Sequence, residues 1–431
     1  MVNTTQRNAD RPYDVIVWGA TGFTGALVAE YLAKSAPQDV KFAIAGRNKE
    51  KLASVTERMS KVAPNRKNIP VIIANIDDQA SLDRMVSQAR VVISTAGPFM
   101  QHGHELVEAC VNNKTDYIDS TGEPPFVRAI IDKHHDKAAA DGTMIVPGCG
   151  FDSIPSDMGA FMLADHLAKK GKKTASVKMT VDDMKGIASG GTVASLLGVL
   201  TETPYKDQWK MMDPYYLCPA DAKRGPDSVV PPVFHYSRDF GKWQSYFVME
   251  MTNTRIVRRS NALFGNAYGP NFAYSETQGQ SNLLTASAVT VAGGAIASAL
   301  VLPPVQWAAK WAANKFVPAG SGPTKEQIET GYFKCRAIGE AVKEPNEQTA
   351  VKAVAHINGI QDPGYGETSK MLAESALTLA LVDRKTLASP ASAGAFAGKI
   401  TGGVLTASTA MGYSLINRLR AAGMTFDVAD L

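Results

Sequence analysis

Three glycines in the pattern G-x-x-G-x-x-G, Gly19, Gly22 and Gly25, follow an apolar run near the start of the chain and precede a helical pattern. A bound diphosphate needs backbone N–H groups directed at it and no side chain in between. Glycine permits a sharp turn and a close approach of the backbone, and the first N–H groups of the helix attract the anion. The sequence therefore predicts that this turn binds the diphosphate of a dinucleotide.

The end of the next predicted strand, residues 40–45, carries cations where an NAD site would carry an acidic residue. In a dinucleotide-binding unit, the residue about 20 positions beyond the turn contacts the adenosine ribose. This chain has Arg47 and Asn48 there, followed by Lys49 and Lys51. A guanidinium binds phosphate oxygens well, so the pattern favours NADP (NADPH) over NAD. The alternative is a helix start with solvated cations.

Further polar or glycine-rich loops follow the later strands of this region. The carboxyl ends of parallel strands meet at one edge of a sheet, where ligands bind. Asp77 follows the third strand and is predicted near the adenine. Residues 119–123, DSTGE, follow the fifth strand and include Gly122, while residues 148–157, GCGFDSIPSD, follow the sixth. The loop after the fourth strand is predicted to line the nicotinamide side of the cofactor site and consists of Thr95, Ala96, Gly97 and Pro98.

Hydride transfer leaves an anion that must be stabilised or protonated, so the predicted cleft should hold a proton donor. The candidates that we select as catalytic residues are His102, Asp152 and Asp157, and Tyr205 or Tyr215 would join them if a loop closed over the cleft. Asp157 has a structural alternative as an acidic residue in the first turn of a helix. His102 and His104 lack a third ligand at a suitable spacing, so no metal site is predicted.

Short apolar runs alternate with amphipathic helical patterns up to about residue 147. This alternation predicts an α/β fold with a doubly wound parallel sheet. The later part has predicted strands at 175–184 and 244–252, a hairpin of 331–343 with 348–359, and helices at 366–382 and 411–422. We therefore expect a second α+β domain with a mainly antiparallel mixed sheet. The expected domains are 1–150, 151–388 and a C-terminal segment, 389–431, that packs back on both.

Two features of the second part have competing interpretations. Residues 187–200 are small and apolar, and their SGGT opening at 189–192 could present helix N–H groups to an anion or could be part of a packing helix. Arg255, Arg258 and Arg259 could clamp an acidic group or form a solvated face. Residues 201–240 have weak periodicity and are predicted to form a long loop over the cleft.

An uncharged segment, residues 277–309, lies between Glu276 and Lys310. Its centre, 283–302, is about as long as a membrane span, but it is rich in Ala, Ser, Thr and Gly. Trp307 and Trp311 follow in an amphipathic stretch that is typical of interfacial anchors. Three alternatives stay open: a helix buried in the protein or in a homodimer interface, a helix lying on a membrane or droplet surface, and a membrane span.

The whole-chain composition is that of an ordinary globular protein. The chain has 431 residues, 45% of them hydrophobic, and a formal net charge of +4 without basic runs, so nucleic-acid binding is not indicated. The four cysteines are far apart and form no C-x-x-C motif, which favours a reducing compartment. The polar first residues resemble no secretory signal. We therefore expect an intracellular, cytoplasmic protein.

Several motifs together resemble those of the saccharopine dehydrogenase-like oxidoreductases, in the branch with the animal lipid-droplet protein and the mycobacterial trans-acting enoyl reductases. They are WGATGFTG, AGRNKEKL, STAGPF with Gly103, DYIDSTGE, PGCGFDSIPSD, SGGT, DPGYGETSKMLAESAL and GGVLTAS. The resemblance implies a Rossmann domain and NAD(P)H-dependent reduction. It also implies cofactor contacts, which would come from Gly19, Thr21, Gly22, Phe23, Thr24, Gly25, Arg47 and residues 96–98. Ala20, in the same turn, is also selected as a cofactor contact.

The combined interpretation is an NADPH-dependent reductase acting on a C=C, C=N or C=O bond of a hydrophobic, lipid-like or polyketide-like small molecule. The alternative is a cofactor-binding protein of a lipid droplet or membrane surface with little turnover. The apolar segment also makes a homodimer reasonable.

Overall fold

A computed structural model describes residues 8–66, 68–186, 198–199, 209–226, 234–300, 302–316, 322–398 and 401–431. The chain divides into two compact units. The first contains the described residues within 1–151, 320–322 and 364–422, and the second those within 152–319, 323–363 and 423–431. The first division lies one residue from the expected boundary at 150. Residues 364–388, expected in the second domain, belong to the first unit, and the segment 389–431 is shared between the units.

Strands and helices alternate through most of the first half of the chain. This half contains β1 (Tyr13–Trp18), α1 (Phe23–Ser35), β2 (Phe42–Gly46), α2 (Lys49–Val62), β3 (Val71–Ile73), α3 (Gln79–Val86), β4 (Ala89–Ser94), α4 (Phe99–His102), α5 (His104–Asn112), β5 (Asp116–Asp119), α6 (Pro124–Asp141), β6 (Met144–Val146), α7 (Ile154–Lys169) and β7 (Thr174–Lys185). The second half contains β8 (His235–Ser237), β9 (Lys242–Ser245), α8 (Glu250–Leu263), β10 (Ala273–Gln280), α9 (Leu283–Ala299), α10 (Pro303–Phe316), α11 (Lys325–Glu329), β11 (Tyr332–Ala341), β12 (Lys352–Gly359), α12 (Thr368–Leu381), α13 (Arg384–Ala388), α14 (Pro390–Ala393), β13 (Gly403–Val404), α15 (Ala407–Ala421) and β14 (Thr425–Asp430).

The first unit is built on a seven-stranded sheet with the order β13-β6-β5-β4-β1-β2-β3. All of its pairings are parallel. Its strands β1, β2, β4, β5 and β6 are almost entirely buried, as expected for a sheet with helices on both faces. The order 3-2-1-4-5-6 with an added edge strand is that of a Rossmann fold, and the strand order reverses between β1 and β4. The predicted doubly wound sheet is confirmed.

A late segment completes the first unit. Helix α12 packs against α1, β1 and β4, and α15 packs against α12. Glu374 on α12 accepts hydrogen bonds from Tyr31 Oη and Arg418 Nε, both at 2.8 Å. Since buried carboxylates need such partners, this cluster fixes α12 between α1 and α15. The sequence pattern predicted the helix but not this position.

The second unit contains a seven-stranded mixed sheet with the order β14-β12-β11-β7-β10-β9-β8. Among its described strands, only β7 and β10 pair in parallel, and the predicted hairpin forms between β11 and β12. Helix α7 packs on β7, β11 and β12. The approach is close, because a side chain at Gly159 would meet Ile357 at 3.1 Å. The expected second α+β domain is confirmed.

The strand predicted at 244–252 is wrong beyond Ser245, since β9 ends there and α8 begins at Glu250. Arg255, Arg258 and Arg259 lie on α8 and are at most 3% exposed, so they form neither a solvated face nor an open clamp. Arg258 Nη1 donates to Tyr215 Oη at 3.0 Å, and its guanidinium lies 4.9 Å from the Tyr215 ring. Arg255 and Arg259 donate to backbone carbonyls. Their role in this unit is structural.

Helix α9 is mostly exposed, which contradicts the alternative of a helix buried within the chain. Its small residues Ala286 and Thr290 face the protein, and the Thr290 hydroxyl accepts a hydrogen bond from Tyr246 N. Its larger apolar residues face outward, with Leu284 78% and Val291 65% exposed. Within the described part of the chain, no helix has both the length and the apolar character that crossing a membrane requires.

Candidate functional site

The turn between β1 and α1 has the backbone geometry that anion binding requires. Gly19 has a φ of +79°, which favours glycine, and its carbonyl accepts a hydrogen bond from Gly22 N at 2.9 Å. Helix α1 begins at Phe23 with Gly22 as its N-cap, and no side chain caps it. The first N–H groups of α1 therefore have no side-chain acceptor at the cap, and an anion can bind there.

Two glycines of the turn, Gly19 and Gly25, leave little space for a side chain. A Cβ atom on Gly25 would lie 2.3 Å from Gly19 O and 2.5 Å from Thr95 Oγ1. A Cβ on Gly19 would meet Thr95 Oγ1 at 3.0 Å, in addition to the backbone strain. Thr95 Oγ1 also donates to Trp18 O at 2.9 Å, which ties the end of β4 to the end of β1. The turn thus keeps its backbone free of side chains, which is what a bound dinucleotide diphosphate requires.

Two residues distant in sequence contact Phe23, the first residue of α1. The ring of Tyr365, which is 3% exposed, packs edge-on against Phe23 with centroids 4.8 Å apart. A side chain at Gly322 would come within 2.5 Å of the Phe23 ring. The sequence did not predict these contacts, and the signal that could have indicated them is the late motif around Tyr365. The contacts with Tyr365 and Gly322 fix the Phe23 side chain next to the backbone that is predicted to bind phosphate.

The cations predicted at the ribose follow β2 as expected. Arg47 and Lys51 are exposed, and neither forms an ion pair with another residue that the structure describes. Asn48 caps α2, because its Oδ1 accepts a hydrogen bond from Lys51 N at 2.8 Å. Asp77 is exposed beyond the end of β3. Arg47 and Lys51 are therefore both accessible to a ligand at the end of β2.

We expect Arg47→Asp to weaken NADPH binding by roughly 10- to 100-fold, since a charged hydrogen bond contributes about 1.5–3 kcal/mol. NADH lacks the 2′-phosphate, so its affinity should change much less. Titrations of both cofactors, followed by nicotinamide fluorescence, measure the difference. Lys61→Gln on the exposed face of α2 is the matched control. Equal losses for the two cofactors would contradict the assignment of Arg47.

The loop after β4 lies at the same edge of the sheet. Thr95, Ala96 and Pro98 are partly exposed and Gly97 is exposed. The chain then enters α4 and passes Gly103, where a Cβ would lie 2.6 Å from the Phe126 ring and 2.7 Å from Phe99 O. The predicted nicotinamide loop is therefore accessible, while the chain just beyond it is tightly packed.

Asp119, at the end of β5, is buried and holds two loops together instead of facing a cleft. Its Oδ1 accepts hydrogen bonds from Thr121 N and Gly148 N, both at 2.9 Å, and its Oδ2 accepts one from Tyr117 Oη at 2.8 Å. Burial raises the pKa of Asp119 to about 7. The loop of Gly122 is thus joined to the loop after β6.

The three predicted proton donors have different surroundings. His102 is exposed at the end of α4. Asp157 is fully buried and accepts a hydrogen bond from Ser260 Oγ, which fits its structural alternative. Asp152 is partly exposed. Desolvation of its carboxyl group by the surrounding protein raises the pKa of Asp152 to about 6. Asp152 follows Phe151, whose N–H donates to Thr368 Oγ1 at 3.0 Å. Asp152 is therefore a carboxylic acid that retains its proton at higher pH than usual.

The remaining candidates give no additional site. Residues 187–197, with the SGGT stretch, and Tyr205 lie outside the described residues, as does part of the loop expected at 201–240. Tyr215 is 9% exposed and accepts hydrogen bonds from Gly225 N and Arg258, which is a structural role. Among the described residues, no group of three His, Cys, Asp or Glu could hold a metal ion.

Comparisons with known proteins identify the family. The sequence profile of the saccharopine dehydrogenase NADP binding domain matches residues 15–146. A Mycobacterium tuberculosis protein provisionally named a trans-acting enoyl reductase is 37% identical, over 98% of each chain. The chain belongs to the saccharopine dehydrogenase-like oxidoreductases. The trans-acting enoyl reductase of Mycobacterium ulcerans is 33% identical, over 98% of this chain and 99% of its own.

A solved structure supports the fold of this family member. Apo saccharopine dehydrogenase (L-Glu forming) from Saccharomyces cerevisiae aligns with a TM-score of 0.55, covering 97% of this chain and 100% of that one, at 11% identity. The likeness confirms the fold. Together, the family and its NADP binding domain show that the chain is an NADP-dependent oxidoreductase of the reductase or dehydrogenase type.

Proposed function

We propose that this oxidoreductase uses NADPH to reduce a C=C bond next to a carbonyl group in a hydrophobic, lipid-like or polyketide-like substrate. The observation that carries the proposal is the similarity to trans-acting enoyl reductases over 98% of the chain. The tightly packed glycine turn and the accessible Arg47 support NADPH as the reductant.

NADPH, when bound, supplies a hydride from its nicotinamide ring. Residues of the glycine turn would hold its diphosphate, Arg47 its 2′-phosphate, and the loop 95–98 would border its nicotinamide end. Conjugate reduction adds the hydride to the β-carbon and leaves the electron pair on the α-carbon and the carbonyl oxygen. A proton delivered to the α-carbon completes the reduced product.

We assign that proton to Asp152. A general acid works best when its pKa lies near the operating pH, and Asp152, at about 6, is closer to neutrality than an ordinary aspartate. It is partly exposed and can take up a new proton from solvent after each turnover. His102 is the second candidate because it is exposed close to the β4 loop.

The test of this function is the oxidation of NADPH in the presence of matched substrates. The panel contains α,β-unsaturated acyl thioesters of increasing chain length, the corresponding β-ketoacyl thioesters, and imines of long-chain amines. We expect turnover with the unsaturated thioesters and rising kcat/KM with chain length. Turnover with only the ketone or imine substrates would overturn the choice of bond. NADPH binding without turnover of any substrate would favour the alternative of a cofactor-binding protein.

The exposed helices α9 and α10 favour a second property, association with a lipid surface. On α9, Leu284 and Val291 are seven positions apart and share one outward face. On α10, Trp307 is 72% and Trp311 52% exposed. Large exposed apolar patches mark interaction sites, and tryptophans beside an uncharged helix are typical of interfacial segments.

We expect the wild-type protein to float with phosphatidylcholine liposomes in a density gradient. The double variant Leu284→Glu/Val291→Glu should lose about nine-tenths of the floated fraction, because charged side chains oppose insertion of this face. Met212→Glu, at a residue 60% exposed elsewhere, is the matched control. A wild-type protein that stays off liposomes and forms a dimer that the double variant disrupts would contradict lipid binding and assign the face to self-association.

A further inference from the structure

Glu123 is a buried carboxylate that holds the start of α4. It is 1% exposed, and its Oε1 and Oε2 accept hydrogen bonds from Phe99 N at 3.1 Å and Met100 N at 2.8 Å. No lysine or arginine of the described residues forms an ion pair with it. Since a buried charge needs compensation, these two backbone N–H groups determine where the side chain can lie.

Glu123 is itself fixed by the loop that precedes it. Its backbone N–H donates to Thr121 Oγ1 at 3.1 Å, and Thr121 N donates to Asp119 Oδ1 at 2.9 Å. The same Asp119 oxygen accepts the bond from Gly148 N. A continuous series of hydrogen bonds therefore connects the loops after β4, β5 and β6, and Glu123 is its link to the β4 loop.

We infer that Glu123 is a positioning residue that fixes the loop 95–98 at the nicotinamide end of the cofactor site. The inference rests on the proposed function, because it requires NADPH to bind along this edge of the sheet. A glutamine at this position accepts through one oxygen only, and its NH2 group would face the second backbone N–H donor. The start of α4 would then shift, and the loop before it would shift as well.

The glycine turn and Arg47 would contact the diphosphate and the 2′-phosphate. Thr95, which packs on the glycine turn, keeps its own hydrogen bond to Trp18 O at 2.9 Å, so the shift should be confined to the loop beyond Thr95. Loss of the Glu123 carboxylate should therefore affect the nicotinamide half of NADPH and leave the adenosine half bound as before. A general loss of folding would affect both halves. This difference separates a positioning role from a merely structural one.

The experiment compares the affinities of wild-type and Glu123→Gln proteins for NADPH and for 2′-phospho-ADP-ribose, which lacks the nicotinamide. We expect the variant to bind NADPH about tenfold more weakly, because a charge-assisted bond is lost, while its affinity for 2′-phospho-ADP-ribose stays within about twofold. Its kcat should also fall. Glu105→Gln, an exposed residue on α5, should change neither affinity.

A second variant, Glu123→Asp, retains the charge on a shorter side chain. Its affinity for NADPH should lie between those of the wild type and Glu123→Gln. If Glu123→Gln loses affinity equally for both ligands, or for neither, the inference is overturned. The proposal that the wild-type protein binds NADPH would be unaffected by that result. A wild-type protein that binds neither ligand would refute the proposed function itself, and the inference would fall with it.

Discussion

Gly25→Ala is expected to weaken NADPH binding by roughly 10- to 100-fold, since an overpacked site typically costs about 1–3 kcal/mol. The added methyl group would lie 2.3 Å from Gly19 O and 2.5 Å from Thr95 Oγ1. The backbone of the turn and the end of β4 would have to move apart, so the N–H groups at the start of α1 would lose their common direction. Equilibrium titration with NADPH measures the effect.

The control for this variant is Gly46→Ala, in the same sheet. A Cβ there would make ordinary contacts with Leu52 at 3.7–3.9 Å. This variant should bind NADPH nearly as well as wild type. Thermal unfolding of both variants shows whether Gly25→Ala remains folded at the titration temperature. A folded Gly25→Ala protein with wild-type affinity would contradict the role of this turn.

Asp152→Asn is expected to lower kcat by about 10²- to 10⁴-fold, the contribution that a positioned general acid usually makes. Its affinity for NADPH should stay near that of wild type. The proton on Asp152 is lost as pH rises through about 6, compared with 3.8 for an ordinary aspartate. Wild-type kcat/KM should therefore fall above about pH 6, and the small residual activity of the variant should not show this decrease.

The stability of the protein offers an independent check on Asp152. A folded-state pKa above the unfolded value means that the folded protein binds the proton more tightly, so stability falls as pH rises from 3.8 to about 6. The Asp152→Asn substitution would remove this contribution. Glu276, whose pKa burial raises to about 7, acts in the same direction and remains in both proteins. Unfolding curves between about pH 4 and 7 measure the difference, and identical pH dependences would contradict the raised pKa of Asp152.

If His102 is the proton donor instead, the results differ clearly. Asp152→Asn would then retain near wild-type kcat, whereas His102→Gln would lose it. His102→Gln is thus the paired variant for the same pH series, and its outcome decides between His102 and Asp152, the two of the three selected candidates that are accessible in the structure.

The parts of the site that follow local rules could be predicted from the sequence. Gly19, Gly22 and Gly25 act through a turn of a few residues, and Arg47 follows from its distance beyond that turn. Their positions in the structure agree with the β1-turn-α1 unit and the end of β2. The parallel sheet was predictable for the same reason, since each strand and helix carries its own hydrophobic pattern.

Contacts between distant parts of the chain could not be predicted. Tyr365 packs on Phe23 from a distant part of the sequence, and the motif around Tyr365 does not identify Phe23 as its contact. The two hydrogen bonds from the start of α4 to Glu123 depend on how the ends of β4 and β5 align in the sheet. The sequence showed DSTGE as a polar loop, whereas the structure shows two of its carboxylates turned inward.

The arginines of α8 illustrate a different limit. Positions 255, 258 and 259 share one helical face, but charged residues on such a face are usually exposed. In this protein, all three arginines are buried, and carbonyls and a tyrosine from residues 211–217 accept hydrogen bonds from their guanidinium groups. The composition of α9 likewise did not show which of its faces would be packed.

The central claim is that the backbone after β1 binds the diphosphate of NADPH, and a crystal structure of the complex tests it most directly. We expect diphosphate oxygens at hydrogen-bonding distance, about 2.7–3.2 Å, from N–H groups of the turn 19–25, with the 2′-phosphate beside Arg47. A cofactor bound away from this turn, or a turn whose N–H groups face another part of the protein in the complex, would contradict it.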